Sequence, residues 1–325
     1  MPQGIYTLAN DNVCDWLLAL LNSIEINWGT DVPICIIPYD DRLDRVSAEI
    51  ADRDNVFLLD ESEIVDKWMR FISQFQELYD RYPYEPAAVK QSSPLNYHRK
   101  YCAFDGPFDR FIFLDCDTLV FQPLDYVFSK LDDYDFVVHD YQRVTSVRLR
   151  AVQNFWEIFK PVYGDRYTPD TFAERFHCSG FWATRKGAIS TEDLENILQD
   201  LGNGDIKAFK TALTEQDILN YMTLKKQFSL YNFTLDKASK YNTGSCVSSP
   251  HFHEKDGVLY DRDRKLTYLH YMGIKNKRLK KLVRWTEMNL PHSDFLFYLT
   301  DKIANWKLQA IPYKNLFLRY RFMPR

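Results

Sequence analysis

Phe111-Ile112-Phe113-Leu114-Asp115-Cys116-Asp117-Thr118-Leu119-Val120 decides the fold of this 325-residue chain. Its first four residues are all apolar, the mark of a strand buried on both faces of a sheet. Residues two apart on an extended backbone point to one side, so Asp115 and Asp117 can face one cation while Cys116 turns away. In an open α/β sheet ligands bind beyond the carboxyl ends of the strands, and paired hard oxygens there suit Mg²⁺ or Mn²⁺ carrying a phosphorylated substrate. A solvated turn after a core strand would be written with the same letters, so the motif needs support from elsewhere in the chain.

Working outward, residues 5–9 read as a short strand, followed by a polar Asn10-Asp11-Asn12 turn. Residues 13–26 then place Trp16, Leu17, Leu20, Leu21 and Ile24 at helical spacing. Residues 34–37 form a second buried strand, 42–51 a helix and 56–59 a third strand, the alternation of a doubly wound α/β sheet wrapped by helices. A helix over 61–79, an excursion over 82–94 and a helix over 95–104 precede the Asp115 strand. Further strands fall at 136–139, 181–184 and 266–269, and a helix over 214–225 opens with Thr214 as its cap and Asp217 three residues on.

With 46% hydrophobic and 16% aromatic residues, the chain can bury a large core. No apolar stretch is long enough for a membrane span, and residues 1–6 lack a basic then apolar leader, so a cytosolic protein is expected. Cys14, Cys35, Cys102, Cys116, Cys178 and Cys246 are scattered singly, as reduced core residues would be. Net charge is −4, yet residues 275–325 carry 12 Lys+Arg against 3 Asp+Glu, a local +9 that leaves −13 on the rest. That acidic body excludes a nucleic-acid binder, while the basic end fits phosphates, an acidic acceptor or an anionic membrane surface.

A second chemical signal follows the last strand. His270 stands before Tyr271-Met272-Gly273-Ile274-Lys275-Asn276-Lys277, which sets an imidazole beside a glycine turn and several ammonium groups. Imidazole is a suitable third ligand for Mn²⁺, Gly273 allows close approach to phosphate, and a lysine can neutralise a leaving group. His251-x-His253 also has metal-like spacing, but without suitable partners it reads as a surface loop.

Taken in order, Thr7-Leu8-Ala9-Asn10-Asp11, the Asp115-Cys116-Asp117 strand, Cys178-Ser179-Gly180, Glu215-Gln216-Asp217 and His270-Tyr271-Met272-Gly273 resemble the family-eight retaining glycosyltransferases, the group of glycogenin and the lipo-oligosaccharide galactosyltransferases. The resemblance spans residues 5–277. It implies a GT-A fold with a mostly parallel central sheet, a UDP-sugar donor, and Mn²⁺ (or Mg²⁺) held by Asp115, Asp117 and His270. It further implies that Thr7, Ala9, Asn10, Asp11 and Asn12 line the nucleotide, and that Lys100, ranked above Arg99, reaches the donor together with Cys116. Ser179, Gly180 and the His139-Asp140 pair would meet the sugar, and Gln216 would lie beside the anomeric carbon. The family's final lysine position is Asn276 here, so Lys275 and Lys277 share the expectation of a diphosphate contact, with Gly273 beside them.

Residues 1–277 thus read as the transferase domain, and 278–325 as a basic, aromatic extension packed on it or resting on a membrane surface. The acceptor is a glycan, a lipid-linked species or a small molecule. Two rivals remain at this level. A haloacid-dehalogenase-type phosphatase also opens on a buried strand ending in Asp-x-Asp, and a GT-A scaffold could bind carbohydrate or nucleotide without turnover.

Overall fold

The computed structural model of the chain describes residues 2–83, 91–140, 146–209, 212–243, 245–246, 252–255, 258–289 and 311–323. His251, and residues 84–90 of the 82–94 excursion, lie outside these. Strand β1 (Gln3–Ala9) pairs in parallel with β2 (Ile34–Pro38) on one side and β4 (Arg110–Leu114) on the other, and β3 (Val56–Leu58) extends the sheet beyond β2. Beyond β4 come β7 (Phe181–Arg185), β6 (Phe136–Val138) and β8 (Leu230–Asn232), completing seven strands in the order β8-β6-β7-β4-β1-β2-β3. This is an α/β fold with a mostly parallel sheet, as expected. The exception is β7, antiparallel to both β4 and β6, with Phe113 opposite Trp182.

Alternation along the strands builds two cores. Tyr6, Leu8, Phe111 and Phe113 face one way, toward Trp68, Phe71 and Phe75 of the helix Ser62–Arg81. Ile5, Ala9, Ile112 and Leu114 face the other way, toward Leu17, Leu20 and Leu21 of α1 (Cys14–Asn27). Trp182 stacks on Phe113 at 5.3 Å and on Phe104 at 5.1 Å, filling the space directly beneath the Asp115 strand. Residues 95–104 are helical as expected, but as a 3-10 helix, whose three-residue repeat buries His98, Tyr101 and Phe104 on one side.

After Asp117 the chain forms β5 (Thr118–Val120), which pairs antiparallel with β9 (Tyr268–His270) and sets His270 opposite Thr118. A third cluster then joins Trp16 of α1 to Leu279, Leu282 and Val283 of one C-terminal helix, Asn276–Asn289, and to Phe317 of another, Lys314–Arg321. The boundary expected at 277/278 falls in the first turn of the former. Asn22 donates to the Tyr320 carbonyl at 2.6 Å, and Arg321 Nε lies 2.8 Å from Asp15 Oδ1. No helix among the described residues is long and apolar enough to cross a membrane.

Candidate metal centre and donor site

Register alone brings the late histidine to the early acids. Because His270 lies opposite Thr118, and the Tyr271 amide donates to the Asp117 carbonyl at 2.8 Å, the imidazole has to land beside the Asp-x-Asp turn. Its Nε2 is 3.0 Å from Asp117 Oδ1 and 3.7 Å from Asp115 Oδ2. One ligand atom from each of Asp115, Asp117 and His270 falls within 4.8 Å of the others, and this oxygen, oxygen and nitrogen set fits Mn²⁺ or Mg²⁺. Cys116 packs against the apolar clusters, and burial holds its thiol well above the usual range, so it supplies no thiolate to this set.

Lys100 closes the other side. Its Nζ is 3.1 Å from Asp115 Oδ1, 3.4 Å from Ser179 Oγ and 3.9 Å from Glu215 Oε1, and the side chain is almost wholly buried. Burial opposes its charge, but Asp115 and Glu215 outweigh that effect and hold the ammonium above its ordinary range. Burial raises Asp115, whereas at Asp117 burial is overcome by His270 and the carboxyl is held low. Glu215 is fixed in turn: Ser93 Oγ donates to it at 2.7 Å, and Tyr101 OH donates to its carbonyl at 2.5 Å.

The third wall is the 177–180 loop. Asn220, on α2 (Glu215–Lys226), accepts from the His177 amide at 2.9 Å and donates to the His177 carbonyl at 2.8 Å. Asp140 Oδ2 accepts from the Cys178 amide at 2.6 Å, and the Gly180 carbonyl accepts from the Asp115 amide at 2.9 Å. A Cβ on Gly180 would stand 2.6 Å from His270 Cε1 and 2.9 Å from Asp115 Oδ2, so only glycine fits between two of the metal-type ligands.

No family model and no curated protein matches the sequence. Among solved structures, the galactosyltransferase LgtC in complex with donor and acceptor sugar analogues aligns at TM-score 0.50 and 16% identity, over 86% of this chain and 94% of its own. The chain has a GT-A fold. Mouse xyloside xylosyltransferase 1 in its apo form aligns over 71% of this chain and 85% of its own, at 11% identity and TM-score 0.48. Core-mannan synthase A from Aspergillus fumigatus, in an Mn/GDP form, covers 69% of each at 11% identity and TM-score 0.38.

Within this GT-A frame the remaining expected residues divide. Thr7 and Ala9 are buried in β1, and Asn10 follows at its carboxyl end, accepting from the Asn12 amide at 3.0 Å and donating to Asp40 at 2.9 Å. Asp11 accepts from the Val46 amide at 3.0 Å, which ties the loop to the neighbouring helix. Asn12 meets the basic end: Asn276 Nδ2 donates to its carbonyl at 2.5 Å, and Lys280 lies 3.2 Å from its Oδ1. Lys277 lines the groove beside Asn12, Lys275 does not, and Gly273 turns the chain between with φ +82°. Arg99, ranked below Lys100, donates to the Pro38 carbonyl at 3.1 Å. Gln216 lies in the first turn of α2, within the Thr214–Asp217 capping box. Glu215 was readable only as a flank of Gln216, and Ser93 and Tyr101 carried no signal, because their contacts cross more than a hundred residues of sequence.

Proposed function

We propose that this chain is a metal-dependent hexosyltransferase that moves a sugar from a UDP-sugar to a hydroxyl acceptor with retention of configuration. The observation that carries this reading is the convergence of Asp115, Asp117 and His270 within 4.8 Å at the carboxyl edge of the sheet, with Lys100 against Asp115. The three ligand residues would hold Mn²⁺ or Mg²⁺, which when bound supplies charge neutralisation at a departing diphosphate. Lys100 fixes Asp115 and leaves its second oxygen turned toward His270. Gly180 leaves room for the sugar next to the ligands, while the β1 loop from Asn10 to Asn12 receives the nucleotide and Lys277 the phosphates.

No protein nucleophile is called for. Glu215 is engaged by Ser93 and Lys100, Asp217 is engaged in the capping box, and the Gln216 amide is a poor nucleophile. The departing phosphate oxygen is therefore the group that takes the acceptor proton, on the face the leaving group vacates. Incubation with Mn²⁺ and a panel of UDP-hexoses should release UDP, and Asp117→Asn should abolish both the release and metal-dependent UDP binding. Cleavage of phosphomonoesters alone would establish the phosphatase instead, and UDP binding without turnover with any acceptor would establish the scaffold.

A further inference from the structure

Among the described residues four asparagines are buried: Asn10, Asn22, Asn220 and Asn232. Two of them make the same pair of bonds. The Asn220 amide takes both backbone groups of His177, accepting from its N–H at 2.9 Å and donating to its C=O at 2.8 Å. The Asn232 amide takes both backbone groups of Asp140 in the same way, at 3.2 Å and 2.9 Å. A carboxamide placed like this stands in for one rung of a sheet where no strand runs alongside. Asn232 closes β8, whose pairing with β6 ends as the Phe233 amide donates to the Val138 carbonyl, and its side chain carries the pairing two residues further. Asn22 is used differently: it donates to the Tyr320 carbonyl and accepts from Arg53.

Both clamps bear on one loop. Asp140, gripped through its backbone, turns its carboxylate to the Cys178 amide at 2.6 Å, next to the His177 that Asn220 grips. Only Cys178 and Ser179 separate this anchor from Gly180, whose carbonyl accepts from the Asp115 amide and whose Cα faces the His270 ring and Asp115 Oδ2. The loop has no slack there, since a single methyl on Gly180 would already overlap both groups. Asn220 also donates to the Gln216 carbonyl at 2.8 Å, which holds the first turn of α2 in register with the loop. An aliphatic side chain in place of either asparagine would leave a buried N–H and C=O without partners, and the loop would shift to find new ones. We propose that Asn220 and Asn232 are positioning residues of the metal centre, which set the spacing between the 177–180 loop and the Asp115–His270 pair. The inference rests on the metal-dependent reading of the site.

The test measures Mn²⁺ binding by the full chain, without donor, from the electron paramagnetic resonance signal of the free ion. Asn220→Ala and Asn232→Ala should each weaken Mn²⁺ binding about ten- to a hundredfold, the loss that follows when groups orienting metal ligands are removed. Asn22→Ala removes another buried asparagine, one bonded to Tyr320 and Arg53, and should cost stability while leaving Mn²⁺ affinity unchanged. Wild-type affinity in the two clamp variants would overturn the proposal. An equal loss in Asn22→Ala would also overturn it, by tracing the effect to general destabilisation. Asn232 lies on the edge strand of the sheet, so its variant carries the test should Asn220→Ala fail to fold. Absence of Mn²⁺ binding by the wild type would overturn the metal reading itself and this proposal with it, a result distinct from an affinity that the clamp variants share with the wild type.

Discussion

Replacing Gly180 by alanine adds one methyl group where the metal centre has no room. The new Cβ would lie 2.6 Å from His270 Cε1 and 2.9 Å from Asp115 Oδ2, so reaching an ordinary contact of about 3.4 Å requires the imidazole to move by about 0.8 Å and the carboxylate by about 0.5 Å. Metal–ligand distances tolerate about 0.2 Å, and misplaced ligands cost ten- to a hundredfold in affinity. At a Mn²⁺ concentration a hundred times the wild-type dissociation constant, the wild type gains about 2.7 kcal/mol of stability, while the variant should gain only about 0.4 to 1.4 kcal/mol. Denaturant unfolding with and without Mn²⁺ reads this difference directly. Because each protein is compared with its own metal-free state, any general overpacking cost cancels. An equal gain in both proteins would refute the cradle, and no gain in the wild type would remove the metal site altogether.

Asp217 gives a pH signature. Burial is the main cause that pushes its carboxyl up to about 6, and its Oδ1 has no hydrogen-bond partner. The stability it contributes is complete below its unfolded value near 3.8 and is lost as pH rises through about 6, a span worth about 3 kcal/mol. Asp217→Asn should therefore exceed the wild type in stability by up to about 3 kcal/mol at pH 8, with the gap closing toward pH 4. Unfolding curves across that range check it, and a gap independent of pH would count against the assignment. Trp182→Ala, which empties the stack beneath the Asp115 strand, should cost about 3–5 kcal/mol in unfolding experiments. A loss under 1 kcal/mol would show that the stack closes over the vacancy.

Most of the frame is legible because it rests on local pattern. The apolar run 111–114 gives β4, the strand, helix and strand alternation gives the doubly wound half, and Thr214 with Asp217 announces the start of α2. The Asp-x-Asp spacing and the strand before His270 specify the ligand types, although their meeting depends on the β5–β9 register. The antiparallel run of β7 leaves no trace in a short apolar run, since period and composition are the same for either direction. Lys100 is harder still to read: a lysine on a helix is ordinarily solvated, and only the folded arrangement buries its ammonium between Asp115 and Glu215. Asp140, expected at the sugar, accepts from the Cys178 amide, a role set by how the 177–180 loop returns over β6.

The pairing of β5 with β9 also governs the order of events during folding. Asp115 and Asp117 take their places as soon as the central strands associate, but the imidazole arrives only when a strand from far along the chain finds its edge partner. The entropic cost of closing a loop grows only slowly with its length, but so non-local a contact forms late, so a chain that ended before β9 would hold the Asn10–Asn12 loop and both acids yet lack the imidazole. The three-residue set is thus complete only once the β5–β9 pairing has formed, which makes it a report that the chain has been made and folded at least as far as His270.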